Sequence, residues 1–157
     1  LKSLYRYCEE KGIRLISDEI YHGVTYGVPT QTVAGLGAEG IVVNSFSKYF
    51  LLPGWRLGWT VMAEDLVESF SALTQNFFIS PPAVSQYAAL ECFNHLDVLD
   101  EVVQEYRLNR DLLLEALPRI GFDELAPAEG AFYIYAEISK LANDSTEFCR
   151  RMMHECG

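Results

Sequence analysis

The chain has 157 residues, half of them apolar and 13% aromatic, with a formal net charge of −10 from 22 acidic residues against 12 Lys and Arg. That length holds one domain, or one domain and a piece of another, and the apolar fraction excludes wholesale disorder. The acidic balance argues against a nucleic-acid or anionic-membrane partner, which need clustered positive charge, and no apolar run reaches the roughly 20 residues of a membrane-spanning helix.

The chain opens inside a helical pattern. Leu1, Leu4, Tyr5 and Cys8 keep the i, i+3, i+4, i+7 spacing, and Gly12 is placed as the stop of a helix running to about Glu10. Residues 13–16 (I-R-L-I) read as a short buried strand leading into Ser17-Asp18-Glu19-Ile20-Tyr21. A loop bearing Gly27, Pro29, Gly35, Gly37 and Gly40 follows. The β-branched run 41–43 is a second buried strand, which ends in Asn44-Ser45-Phe46-Ser47-Lys48. Pro53-Gly54 makes a turn, and 56–62 (R-L-G-W-T-V-M) reads as a third strand. The pattern is α/β, with at least two of the strands parallel.

Downstream the periodicity becomes helical. Leu66, Val67, Phe70, Leu73 and Phe77 share one face. Ser80-Pro81-Pro82 breaks that helix and is expected to start the next, with Ser80 as cap. Leu99, Val102, Val103, Tyr106, Leu113 and Leu117 mark a long amphipathic helix, which Pro118 and Gly121 help to end. Residues 132–135 (F-Y-I-Y) are a strand candidate, with Tyr133 and Tyr135 alternating along it. Asp144 followed by Glu147 gives a capping-box signal for a last helix, in which Met152, Met153 and Cys156 follow a core face. Trp55 and Trp59 read as core and interface aromatics. Both ends read as cut, so the 157 residues are expected to be a fragment.

Cys8, Cys92, Cys149 and Cys156 form no C-x-x-C pair. Cys8, Cys149 and Cys156 fall in helical patterns, where cysteine acts as a small buried hydrophobe. A reduced, cytoplasmic protein is expected, with no disulfide framework and no metal site.

The polar residues collect where strands end, which is where open α/β sheets bind ligands. Asp18 and Tyr21 follow the first strand, Ser45 and Lys48 the second, and Arg56 lies eight residues after Lys48. These types suit pyridoxal 5′-phosphate (PLP). An imine with its aldehyde needs the amine of a lysine, and a carboxylate beside the pyridine nitrogen keeps that nitrogen protonated. A phenol can hydrogen-bond the ring oxygen, and a phosphate takes arginine and hydroxyl donors. His22 lies beside this cluster but reads as a packing or loop residue.

Asp18-Glu19-Ile20-Tyr21, Ser45-Phe46-Ser47-Lys48 and Gly54-Trp55-Arg56-Leu57-Gly58-Trp59 resemble the fold-type I, class I/II aminotransferases, in the branch of the aspartate and aromatic amino-acid enzymes. The resemblance covers the whole chain, including Gly130-Ala131-Phe132-Tyr133. It implies that Lys48 holds PLP as a Schiff base and shuttles the proton, that Asp18 pairs with the pyridinium and Tyr21 with the ring oxygen, and that Ser45, Ser47 and Arg56 hold the phosphate. Lys48, Asp18 and Tyr21 are thus the expected catalytic residues.

The fold implied is the C-terminal part of an α/β/α three-layer large domain (1–97), an interdomain helix (98–117) and the start of an α+β small domain (118–157). The activity implied is amino-group transfer between an α-amino acid and a 2-oxo acid by a homodimer. A PLP-dependent C–S (β-eliminating) lyase and an aminotransferase-like effector domain of a transcription regulator share the same residues. The family's phosphate-cupping turn and its substrate-carboxylate arginine would lie outside these residues, so the isolated piece is expected to be inactive.

Overall fold

The computed structural model describes residues 1–157. They form two compact units, Leu1–Val103 and Gln104–Gly157.

The first unit starts with α1 (Lys2–Glu10), which buries Tyr5 and Cys8 on one face. Gly12 takes the left-handed conformation at φ 64°, and the helix closes with bonds from Gly12 N–H to Glu9 O (3.1 Å) and from Ile13 N–H to Cys8 O (2.8 Å). This double closure is the Schellman stop that Gly12 predicts. It also corrects the expected strand at 13–16. With Ile13 bonded back to the helix, regular pairing begins later, and β1 is Ile16–Asp18.

A loop and a short 3-10 turn, Val33–Gly35, lead to β2 (Ile41–Ser45). A second 3-10 turn, Pro53–Trp55, precedes β3 (Gly58–Val61), shorter than the expected 56–62. The sheet order is β1-β2-β3. β1 and β2 run parallel, with Asp18 opposite Val43, and β3 is antiparallel to β2, with Gly58 opposite Ser45. Gly58 is required there, because a Cβ would lie 2.6 Å from the Asn44 carbonyl oxygen.

Side chains alternate across a strand. On one face Val42 packs with Tyr5 and Val33, flanked by Leu15 and Leu36, as the main core. The other face was expected to be buried as well. It presents Ile16, Ile41, Val43, Thr60 and Met62 to Leu66, Phe70 and Leu73 of α2 (Glu64–Phe77), across an apolar cleft of about 480 Å³. Glu64 and Asp65 in the first turn of α2 favour its start, where the helix dipole is positive.

Proline rather than serine caps α3 (Ala83–Cys92): the N-cap is Pro82, without a side-chain bond, so Ser80 is not the expected cap. α4 (Leu96–Arg119) begins in the first unit and continues into the second, and Pro118 lies within its last turn.

In the second unit, Tyr106 on α4 packs on Phe132 with ring centroids 5.8 Å apart, and Arg110 donates to the Ala128 carbonyl at 3.2 Å. The expected strand at 132–135 is reduced to an isolated antiparallel bridge, Leu125 to Ala136. The bonds Ala126 N–H to Tyr135 O and Glu137 N–H to Glu124 O flank it. A strand needs a ladder partner, and the segment around residues 124–126 is the partner formed here. α5 (Ser145–Cys156) starts as its capping signal predicts, with Asp144 Oδ1 accepting from the N–H groups of Thr146 (2.8 Å) and Glu147 (3.1 Å). The carboxylate of Glu147 turns forward to Arg150 at 2.7 Å. Met152, Met153, Cys149 and Cys156 are exposed, against the core face expected for α5, whereas Cys8 is buried as expected. No helix is long and apolar enough to cross a membrane.

Candidate active site

The site is built where β1 and β2 run out. Asp18 is the last residue of β1, with an exposed side chain whose Oδ1 accepts the Ile20 N–H at 3.1 Å. Alternation then turns Glu19 inward. Its backbone N–H continues the ladder to Val43 O at 2.8 Å, and its carboxylate is 4% exposed. Oε1 of Glu19 accepts the Val33 N–H at 2.8 Å, and Oε2 lies 3.4 Å from His22 Nδ1. Glu19 therefore closes the loop from 20 to 33, with Val24 and Val33 fully buried. Tyr21 sits at the start of that loop.

Beyond β2 the chain folds on its own hydroxyls. Ser45 Oγ donates to the Leu57 carbonyl at 3.2 Å or to Ser47 Oγ at 2.8 Å, and it accepts the Ser47 N–H at 3.0 Å. Phe46 is buried at this point, with Phe50 at 4.8 Å, Trp59 at 5.0 Å and Phe93 at 6.0 Å between ring centroids. The buried ring fixes the turn, and two residues on, Lys48 Nζ lies 5.6 Å from the centre of the Tyr21 ring. Such a contact is within the range of a cation–π attraction. Trp59 packs in this aromatic cluster while remaining more than a third exposed, as is Trp55.

Arg56 stands two residues before Gly58, the register partner of Ser45. Its backbone is left-handed, at φ 52°, and its guanidinium donates to the Pro53 carbonyl at 2.7 Å. The structure thus brings Tyr21 to Lys48 and Ser45 to Ser47. It places Asp18 and Arg56 at neighbouring strand ends, each bonded within its own turn.

Two residues of this region escaped the sequence reading. Glu19 is given no role by the sequence motifs, although period-2 alternation already separates it from Asp18 onto the opposite face. Tyr49 donates its hydroxyl to Asp100 Oδ1 on α4 at 2.6 Å. Burial first, and the bond and charge of Asp100 next, push its phenol up to about 12.

The chain has known relatives. The family model for aminotransferase class I and II matches residues 1–157. The valine–pyruvate aminotransferase of Mycobacterium tuberculosis is 43% identical over 161 residues, which cover all of this chain and 42% of that protein. The crystal structure of an aminotransferase from M. tuberculosis superposes with a TM-score of 0.95 at 42% identity, over 99% of this chain and 41% of that one. A Thermus thermophilus aspartate aminotransferase mutant superposes with a TM-score of 0.90 at 28% identity, over 98% and 41%. The chain spans about two-fifths of the length of these relatives. With its whole length matched by the family model, the chain belongs to the class I and II aminotransferases.

Proposed function

We propose that the protein containing this chain transfers an amino group between an α-amino acid and a 2-oxo acid, with PLP attached at Lys48. The observation that carries the reading is the Lys48 amine 5.6 Å from the Tyr21 ring, in a turn set by the Ser45 and Ser47 hydroxyls at the end of β2. The donor set fits the cofactor. It offers a half-buried amine, an exposed carboxylate on the adjacent parallel strand, a phenol, two hydroxyls and an arginine.

Bound PLP supplies an aldehyde for covalent attachment and a ring that accepts electrons from the substrate. Lys48 would anchor the cofactor, and its free Nζ would take the proton from the substrate α-carbon. Asp18 holds a proton on the pyridine nitrogen. Tyr21 donates its phenolic hydrogen to the ring oxygen, and Ser45, Ser47 and Arg56 bind the phosphate.

The relatives above are named aminotransferases, which favours amino-group transfer over β-elimination and over a regulatory effector role. The name of the M. tuberculosis relative makes valine and pyruvate the first pair to assay. The reading extends to a homodimer, the assembly that the resemblance implies.

Borohydride reduction of the PLP-loaded parent protein, followed by peptide mapping, should leave the pyridoxyl label on Lys48. A label on Lys2, Lys11 or Lys140 would refute the assignment.

A further inference from the structure

The turn that carries Lys48 is gripped by the next residue. A Cβ on Gly23 would lie 2.5 Å from both Cγ and Cδ2 of Tyr49, so the Tyr49 ring rests directly on the Gly23 backbone. Gly23 is itself left-handed at φ 91°, and the Val24 N–H donates to the Tyr21 carbonyl at 3.0 Å across it. The Tyr49 hydroxyl is tied to Asp100 Oδ1 at 2.6 Å, and its ring meets Phe50 edge-on at 5.1 Å.

Two contacts therefore join the same two loops, Lys48 over Tyr21 and Tyr49 against Gly23. Each pair is offset by one or two residues along the chain. If the Tyr49 ring turned about its first side-chain torsion, it would leave Gly23 and free the adjoining Lys48 backbone. The bond to Asp100 opposes that turn.

We infer that Tyr49 is a positioning residue: its ring, seated on Gly23 and anchored through Asp100, sets the separation of Lys48 from Tyr21. The inference rests on the reading of Lys48 and Tyr21 as cofactor residues. The high phenol pKa agrees with it, because the hydroxyl remains a donor throughout the neutral range. Tyr49 touches neither substrate nor cofactor in this role. It acts through its neighbours on both loops.

The test uses the intact, PLP-loaded parent protein and five variants: Tyr49→Phe, Asp100→Ala, the double variant of these two, Asp100→Asn and Gly23→Ala. The readout is the pH at which the visible absorbance of the bound cofactor titrates, measured beside the thermal midpoint. A loss of stability alone does not move that titration, whereas a change in the Lys48–Tyr21 geometry does. Tyr49→Phe and Asp100→Ala should each move it in the same direction by about half a pH unit or more, and lower kcat by about three- to tenfold through misplacement. The double variant should be no worse than either single one, because both remove one bond. Asp100→Asn, whose amide oxygen still accepts, should restore the parent titration. Gly23→Ala should shift it further, and if that variant fails to fold the other four still decide.

An unmoved titration in Tyr49→Phe and Asp100→Ala, with only a lower thermal midpoint, would overturn the inference and leave the proposed function standing. A parent protein with no visible cofactor band would overturn both.

Discussion

Replacing Glu19 by alanine removes the acceptor of a buried backbone donor, and the cost can be built from its contacts. Val33 is fully buried and its N–H ends on Glu19 Oε1 at 2.8 Å. Leaving that donor unsatisfied costs about 1–3 kcal/mol. The lost methylene adds about 0.8 kcal/mol of transfer energy, before any cavity term. The His22 contact, 3.4 Å long on a ring 30% exposed, contributes little after solvent screening. Against these losses, alanine relieves the desolvation of a carboxylate that is 4% exposed. The net expectation is a destabilisation of about 2–3 kcal/mol. Glu19→Gln keeps an oxygen for the Val33 N–H and should cost less than about 1 kcal/mol. Urea unfolding of the intact protein and both variants, at equal m-values, separates the two outcomes. Limited proteolysis should cut the loop from 20 to 33 faster in Glu19→Ala than in Glu19→Gln. If the two variants agree to within about 0.5 kcal/mol, the bond to Val33 does not close this loop and the reasoning fails.

Asp18→Asn should retain cofactor on Lys48 but lose most turnover, whereas Arg56→Ala should chiefly weaken PLP affinity by about 1.5–3 kcal/mol; equilibrium dialysis beside kcat checks the division, and equal effects of both changes on both measurements would refute it. Asp144→Ala removes the acceptor of two N-terminal N–H groups of α5 and should destabilise the helix by about 1 kcal/mol, read by urea unfolding. The Tyr49 phenol is raised from 10.0 to about 12 in the folded protein, so folding favours its neutral form. The stability advantage of the parent over Tyr49→Phe should be complete below pH 10 and fade as pH rises toward 12; thermal melts of both proteins along an alkaline series measure it, and an advantage that grows with pH would refute the sign.

What the sequence reveals of this site is local, and what it hides is distant. Asp18, Tyr21, Ser45, Ser47 and Lys48 lie within three residues of a strand end, so strand, breaker and spacing place them without knowledge of any partner. Glu19 and Tyr49 depend on contacts 14 and 51 residues away, and only the packed structure supplies those. The same distinction explains the elements. α1 and α5 carry their own stop and start signals in Gly12 and Asp144, and both are formed as read. The segment 132–135 has strand composition, but composition supplies no ladder, and one bridge is what forms. Met152 and Met153 keep a helical spacing, yet spacing alone does not provide the surface that would bury them.

Strain marks where the turn after β2 is forced rather than chosen. Leu51 and Arg56 adopt left-handed backbone at φ 56° and 52°, although neither is glycine, on either side of a Pro53-Gly54 turn. Each such residue costs on the order of 1 kcal/mol. Offsetting contacts surround them. Leu52 N–H bonds to Phe46 O at 2.9 Å, Phe46 N–H to Leu57 O at 3.0 Å, and Phe46, Phe50, Trp59 and Phe93 pack as one aromatic cluster. Gly58 lets β3 come against Asn44 so that this closure can form. The path from Ser45 to Leu57, twelve positions further on, is thus held at both ends by the Ser45 hydroxyl and the Leu57 carbonyl. Its conformation leaves Lys48 at one shoulder and Arg56 at the other. A relaxed turn of glycine or asparagine at 51 and 56 would cost less to fold, but asparagine or glycine at 56 carries no guanidinium. Arg56 keeps this conformation while its guanidinium donates to the Pro53 carbonyl at 2.7 Å, a bond inside the turn that helps to offset the strain.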